Sequence, residues 1–288
     1  MLARAMELMP GAADLAEAFA RDGVVCVRAA LDPAEVATAA RGIEAVLASP
    51  GPLTLVASAA DDPGRFTEDF CRWQEVAEIE HLARHSRVPR IGATLMRTSR
   101  VRFYHEHVLV KEGGTSQRTP WHQDQPYYNV DGRGVSAWIP VDPVPLEGCL
   151  ELVAGSHRGP WLMPHTFLSG EARWFPEGTL AELPDIDADR DAYDIRRFEL
   201  APGDAIFFDF LTVHGAPGFP FPGARRVLSL RYLSAGVMFA PRRWRTSPPF
   251  DGLDRELAAG ADLDHPLFPV VWPAADDPRS AVNVKAAG

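Results

Sequence analysis

The chain has 288 residues, 46% of them hydrophobic, and a formal net charge of -10. That apolar content suffices for a sizeable core and excludes a disordered chain. The acidic balance argues against a phosphate backbone as partner, so no nucleic acid is expected. Cys26, Cys71 and Cys149 are far apart and form no C-x-x-C pair, which speaks against a disulfide framework or a zinc knuckle. The opening residues lack an apolar segment of signal-peptide length, and no run reaches the length of a membrane span. The expectation is a cytoplasmic protein with no membrane partner; its oligomeric state stays open.

Ala12 to Arg21 has helical spacing, with Leu15, Ala18 and Phe19 on one face, and Asp22-Gly23 breaks it. Val24 to Val27 reads as a short buried strand. Asp32-Pro33 opens a second helix, which runs to about Leu47 and stops at Ser49-Pro50-Gly51. A third helix is expected around Val76 to His85. From Val101 the texture changes to short strands: Val101–Lys111, Val135–Val141, Cys149–Val153, Ile195–Leu200, Asp204–Phe210 and Arg226–Leu233. Glycine-bearing turns such as Gly113-Gly114, Asp131-Gly132 and Pro202-Gly203 separate them. Trp161 to Tyr193 reads as a long insertion, the kind of segment that forms lids or binding loops. Helices first and strands later give an α+β chain whose second part is a jelly roll or barrel.

The chemistry centres on Thr119-Pro120-Trp121-His122-Gln123-Asp124. On a strand, alternate side chains share a face, so His122 and Asp124 can point into one cavity with Gln123 opposite. An imidazole and a carboxylate are two ligands of the 2-His-1-carboxylate set, and His214, after the apolar run Ala205-Ile206-Phe207-Phe208, is the best third. Three facial ligands leave positions for a chelating 2-oxoacid and for oxygen. Arg225, at the start of the next strand, can pair bidentately with the far carboxylate of such an acid. An isolated H-x-D arises by chance in many chains; the distant histidine and the arginine give it weight.

These residues resemble the phytanoyl-CoA dioxygenase family. The likeness runs from Phe19-Ala20-Arg21-Asp22-Gly23 to Arg231-Tyr232. Its most specific parts are the segment 119–124, Glu147-Gly148-Cys149-Leu150, Gly155-Ser156-His157, Pro202-Gly203-Asp204 leading to His214, and Arg225 with Leu228-Ser229-Leu230-Arg231-Tyr232. The resemblance implies a single domain on a double-stranded β-helix, a jelly-roll or cupin-like barrel with the N-terminal helices packed outside. Its helical part would end near residue 97, its core would cover about 98–240, and a tail would follow from 241 to 288. It implies Fe(II) on His122, Asp124 and His214, and 2-oxoglutarate on Arg225 with Ser229 nearby and Trp138 lining the pocket. The implied activity is a dioxygenase that uses O2 to hydroxylate an unactivated C–H bond of a small molecule, releasing succinate and CO2. Halogenating relatives replace the carboxylate with a small residue, so Asp124 favours hydroxylation or desaturation. The loop before Arg225, Pro217-Gly218-Phe219-Pro220-Phe221-Pro222, is more apolar than the family's usual segment, which makes Arg226 a rival for the anchor.

Other residues carry weaker readings. His105 and His107 share a strand face with Leu109 and Lys111, and could touch substrate or cosubstrate or simply be hydrogen-bonded barrel histidines. With Glu112 the same pair is a rival cupin-type metal set. Tyr127 and Tyr128 could pack on substrate or on the barrel rim. His157 reads as a turn residue; His81, His85 and His265 have no matching partners; and Arg242, Arg243 and Arg245 read as a solvated basic turn or an anion contact. A cupin-like metal isomerase and a non-catalytic sensor remain alternatives.

Overall fold

The computed structural model describes residues 11–163 and 180–273. Asp32 accepts from the backbone of Ala34 and Glu35 while Glu35 reaches back to the Asp32 amide, a capping box with Pro33 in the first turn. This nucleates α2 (Pro33–Ala48). It follows α1 (Ala12–Asp22) and β1 (Val24–Val27), which Gly23 joins in the left-handed region. The third helix, α3 (Ala77–His85), is followed by α4 (Val88–Leu95), which was not expected from sequence. A single turn, α5 (Leu253–Glu256), lies near the end.

Two antiparallel sheets lie beneath the helices. The larger contains β1, β2 (Leu55–Val56), β3 (Phe66–Phe70), β4 (Val101–Glu112), β7 (Gly134–Pro140), β10 (Ala205–Asp209), β12 (Ala224–Ser234) and β14 (Val270–Trp272). Its order is β1-β10-β7-β12-β4-β3-β2, with β14 also on β4. The smaller runs β5 (Thr119–His122), β11 (His214–Ala216), β8 (Glu151–Val153) and β9 (Ile195–Arg196). β6 (Val130–Asp131) and β13 (Met238–Phe239) pair apart. The two sheets share no strand among the described residues, so the β part is two facing layers rather than a closed barrel.

Period-two alternation sorts the side chains. On β12, Leu228, Leu230 and Tyr232 join Phe103, Val108, Val135 and Ile139 under the helices, in one apolar core with Ile43, Ile79, Leu82 and Ile91. On β7 and β10, Trp138, Ile206 and Phe208 face the other way and pack with Leu150, Leu152 and Ala216. That second core lies between the sheets and forms the surroundings of the site.

Several expectations change. β2 and β3 fall within the stretch read as helical, and β14 brings the tail back onto β4. The strand expected over Ile195–Leu200 is only β9, with Leu200 in an isolated bridge to Val144. The strand expected from Cys149 begins at Glu151, because Leu146–Gly148 coils as a 3-10 turn. Of the insertion expected over Trp161 to Tyr193, residues 164–179 lie outside the described residues; the rest contains a 3-10 segment, Asp187–Ala192.

Candidate active site

β5 ends at His122. Asp124 therefore does not sit on the strand: its φ of -71° and ψ of -42° place it at the turn into the 3-10 helix Gln125–Tyr127. The convergence expected from alternation is produced by this turn. Gln123 locks it by donating to the carbonyls of Pro160 and Leu211 and accepting from the Leu162 amide. β11 pairs with β5 so that His214 stands directly opposite His122.

The three side chains converge. One ligand atom from each of His122, Asp124 and His214 lies within 4.8 Å of the others, and all three residues are buried. Each imidazole is oriented by the backbone: His122 Nδ1 lies 2.8 Å from the Pro120 carbonyl and His214 Nδ1 2.9 Å from that of Thr212. Protonation at Nδ1 turns both Nε2 atoms toward Asp124 Oδ1, each 3.8 Å away. Burial, aided by His214, drives the His122 imidazole down to about 3, and burial also lowers His214. Burial alone would raise Asp124, but Arg231, His214, His122 and the Ser136 hydroxyl together bring it to about 2. Neutral imidazoles beside an ionised carboxylate are the donor set of a divalent transition metal. No other such set assembles among the described residues.

A cavity of about 40 Å³ lies between the sheets, bordered by His122 and His214 on one side and by Leu109, Trp138, Arg225 and Ser229 on the other. One water needs about 10–15 Å³, so the space admits more than a single solvent molecule. Arg225 is 3% exposed. It donates to the Gly148 carbonyl and lies 5.5 Å from the Trp138 ring and 5.9 Å from that of Phe219. It has no acidic partner among the described residues, and its Nε makes no hydrogen bond. Burial pulls its guanidinium down to about 10, against a weak opposing effect of the Cys149 thiol. The neighbouring Ser229 hydroxyl is fully buried and also lacks a partner. A buried guanidinium with an idle Nε, bordering the same cavity as an idle hydroxyl, suits an anion. Arg226 is no rival: it is clamped outside by Asp142 and Glu44.

The remaining expected residues separate. His107 and Leu109 border the cavity. His105 stands behind, edge-on to Tyr104 and Tyr128, with its Nε2 unsatisfied. Burial holds both histidines far below their usual pKa. The rival set of His105, His107 and Glu112 does not assemble, since Glu112 accepts from the Arg65 amide instead. Lys111 is fully buried and donates to the carbonyls of Gln117 and Pro217, so it ties two loops together. Tyr127 stands edge-on to His122 at 5.9 Å. Tyr128 accepts from Arg231. His157 is the expected turn residue, near the Ala20 carbonyl. His265, expected without a partner, pairs with Glu256. Arg242 is not solvated: it is anchored to the carbonyls of Tyr128 and Val130 and lies under Trp161.

Arg231, Ser136 and Phe208 also reach the site, and sequence reading did not single them out. The signal was present for two of them, since Arg231 shares the face of Arg225 and Ser229 on β12, and Ser136 that of Trp138 on β7.

Fold and site together are two facing antiparallel sheets that enclose a buried His-Asp-His donor set able to hold a metal ion. The chain belongs to the phytanoyl-CoA dioxygenase (PhyH) family, whose model matches residues 19–227. It is 26% identical over 185 residues to a probable phytanoyl-CoA dioxygenase of Caenorhabditis elegans, covering 62% of this chain and 54% of that one. It is 28% identical over 131 residues to the peroxisomal phytanoyl-CoA dioxygenase of Bos taurus, covering 44% of this chain and 37% of that protein. The matches thus span about half or less of these relatives. Among solved structures, the fold is shared with the α-ketoglutarate-dependent carbocyclase SnoK of nogalamycin biosynthesis, with a TM-score of 0.71, 22% identity and 92% and 98% of the two chains covered. It is also shared with the epimerase SnoN, solved with Fe3+, α-ketoglutarate and nogalamycin RO, with a TM-score of 0.73, 24% identity and coverage of 91% and 98%. No helix among the described residues is long and apolar enough to cross a membrane.

Proposed function

We propose that this protein is an Fe(II)- and 2-oxoglutarate-dependent dioxygenase that hydroxylates an unactivated C–H bond of a small molecule. The observation that carries the proposal is Arg225: a buried guanidinium with no acidic partner among the described residues, bordering the same cavity as a His-Asp-His set. A metal site alone does not account for that arginine, whereas a dicarboxylate bound between them does. We read the two sheets as halves of a double-stranded β-helix, and the chain as one domain.

His122, Asp124 and His214 would hold the iron, and Arg225 with Ser229 the distal carboxylate of 2-oxoglutarate. Bound together, iron and cosubstrate supply oxidising power from O2, with succinate and CO2 as the by-products. The chain supplies placement. Trp138, Leu109 and Phe208 give the cavity apolar walls and keep bulk water from it. Backbone carbonyls fix both imidazoles, so no reorganisation is needed when the metal arrives. Tyr127 stands beside the triad, where a small substrate would rest.

The test is succinate release from 2-oxoglutarate by the iron-loaded protein in air. Iron-dependent succinate is expected from the wild type and not from Arg225→Ala. A wild type that binds metal yet forms no succinate would contradict the reading and favour a cupin-like isomerase.

A further inference from the structure

Asp124 is gripped from behind. Its Oδ1 faces the two histidines, while its Oδ2 accepts from Ser136 Oγ at 2.6 Å and lies 3.8 Å from Arg231 Nε. Ser136 and Arg231 stand directly opposite each other on β7 and β12, so adjacent strands deliver a hydroxyl and a cation to the same oxygen. Arg231 is only 5% exposed, and its fork is fixed on three sides. Nε donates to the Tyr128 hydroxyl at 2.7 Å, Nη1 donates to the Ser229 carbonyl at 3.1 Å, and Nη2 lies 3.5 Å from His107 Nδ1. Behind His107, Phe70 stacks at 3.8 Å between ring centroids, and Glu68 Oε1 lies 3.1 Å from Nε2, off the hydrogen-bonding direction. Glu68, His107, Arg231 and Asp124 thus form one buried line that ends on the metal-facing carboxylate.

A carboxylate with two equivalent oxygens has no fixed orientation toward a metal, and binding must then order it. A hydroxyl bonded to Oδ2 and a guanidinium charge 3.8 Å from it remove that equivalence. We propose that Arg231 is a positioning residue for the metal carboxylate: with Ser136 it retains Asp124 Oδ2 and presents Oδ1 alone to the ion. His107 then serves as the brace of Arg231 rather than as a substrate contact. This inference rests on the metal reading above.

The test is anaerobic metal binding, followed with cobalt(II) and with Fe(II) plus 2-oxoglutarate, in the wild type, Arg231→Lys and Arg231→Met. Folding of each variant is checked by circular dichroism. Arg231→Met is expected to lose about 10–100-fold in metal affinity and to shift the visible band of the iron complex. Arg231→Lys should recover part of the affinity, while 2-oxoglutarate affinity at saturating metal stays unchanged. Should Arg231→Met not fold, Ser136→Ala removes the hydroxyl on Asp124 Oδ2 and Tyr128→Phe the oxygen that holds Arg231, and each should show a smaller loss of the same kind. A folded Arg231→Met that binds metal as tightly as wild type with the same band overturns the inference. So does a variant that loses affinity for 2-oxoglutarate alone, which would place Arg231 on the cosubstrate. A wild type that binds no metal overturns instead the reading on which the inference rests.

Discussion

Arg225 has an unusual energetic position. A buried guanidinium without an acid is costly to the metal-free protein and valuable only when an anion arrives. Arg225→Met should therefore leave the thermal midpoint of the metal-free protein near that of wild type. The same variant should lose the stabilisation that 2-oxoglutarate gives the metal-loaded form. Breaking such a buried pair costs about 3–5 kcal/mol, so the affinity should fall by about a hundredfold or more. Thermal shift with and without 2-oxoglutarate reads both effects. A large drop in the stability of the metal-free protein would show that Arg225 is structural.

The buried titratable groups set a pH dependence with two opposing parts. Burial lowers His105, His107, His122 and His214 below the ordinary 6.5, so they stay neutral in the fold and protonate on unfolding. Their contribution is complete above 6.5 and is lost as the pH falls, by up to about 1.4 kcal/mol per pH unit for each histidine. Burial raises Glu68 to about 8 and Glu106 to about 7 from 4.5, so their contribution is complete below 4.5 and is lost as the pH rises toward those values. Burial also raises Asp209 and lowers Lys111, and four histidines with a lysine outweigh three carboxyls, so urea denaturation of the metal-free protein should show lower stability at pH 5 than at pH 7. Glu68→Gln removes one opposing contribution and should steepen the acid fall. Equal stability at the two values would contradict the burial of these histidines.

Much of the site was legible residue by residue, because metal ligation restricts side chains to few types and Arg225 occupies a motif position. Glu68 was not legible: β3 carries no clear alternation, so nothing in Phe66–Phe70 announces that its middle carboxyl reaches His107. Arg231 stood within a quoted motif, but its role depends on Ser136, which only the pairing of β7 with β12 brings opposite.

At the scale of elements, local signals that carry their own hydrogen bonds were readable. Asp32 and Pro33 mark the start of α2, and Asp32→Ala should cost about 1 kcal/mol by loss of the cap. That loss should lower the denaturation midpoint and leave 2-oxoglutarate binding untouched, since α2 packs on the face of the large sheet away from the cavity. Altered cosubstrate affinity in this variant would mean that the helices couple to the site. Short strands such as β2, β9 and β13 were invisible or misjudged, because two residues give no periodicity and only pairing defines them. Asp124 shows the limit of alternation most clearly. The residue pattern placed it correctly beside His122, but a 3-10 turn held by Gln123, rather than a continuing strand, brings it there.

At the scale of the whole molecule, each layer has a distinct task. The helices cover one face of the large sheet and stabilise it. The opposite face meets the small sheet, and that interface is apolar near β10 and polar where β4, β7 and β12 meet β5 and β11. The proposed metal ligands lie on or just beyond β5 and on β11, while Arg225, the proposed anion anchor, comes from β12 in the other sheet. A molecule bound between them bridges the layers, so ligand binding and stability are linked. Metal and 2-oxoglutarate together should stabilise the protein more than metal alone, by about 2.7 kcal/mol when the cosubstrate stands at a hundred times its dissociation constant.

The most direct measurement is an anaerobic titration of the Fe(II)-loaded protein with 2-oxoglutarate, watched for the weak visible metal-to-ligand charge-transfer band, with Asp124→Ala alongside. The band should grow to saturation in the wild type and be weakened or absent in the variant. A wild type that binds iron and shows no band would contradict the assignment of His122, Asp124, His214 and Arg225 to one iron and 2-oxoglutarate site.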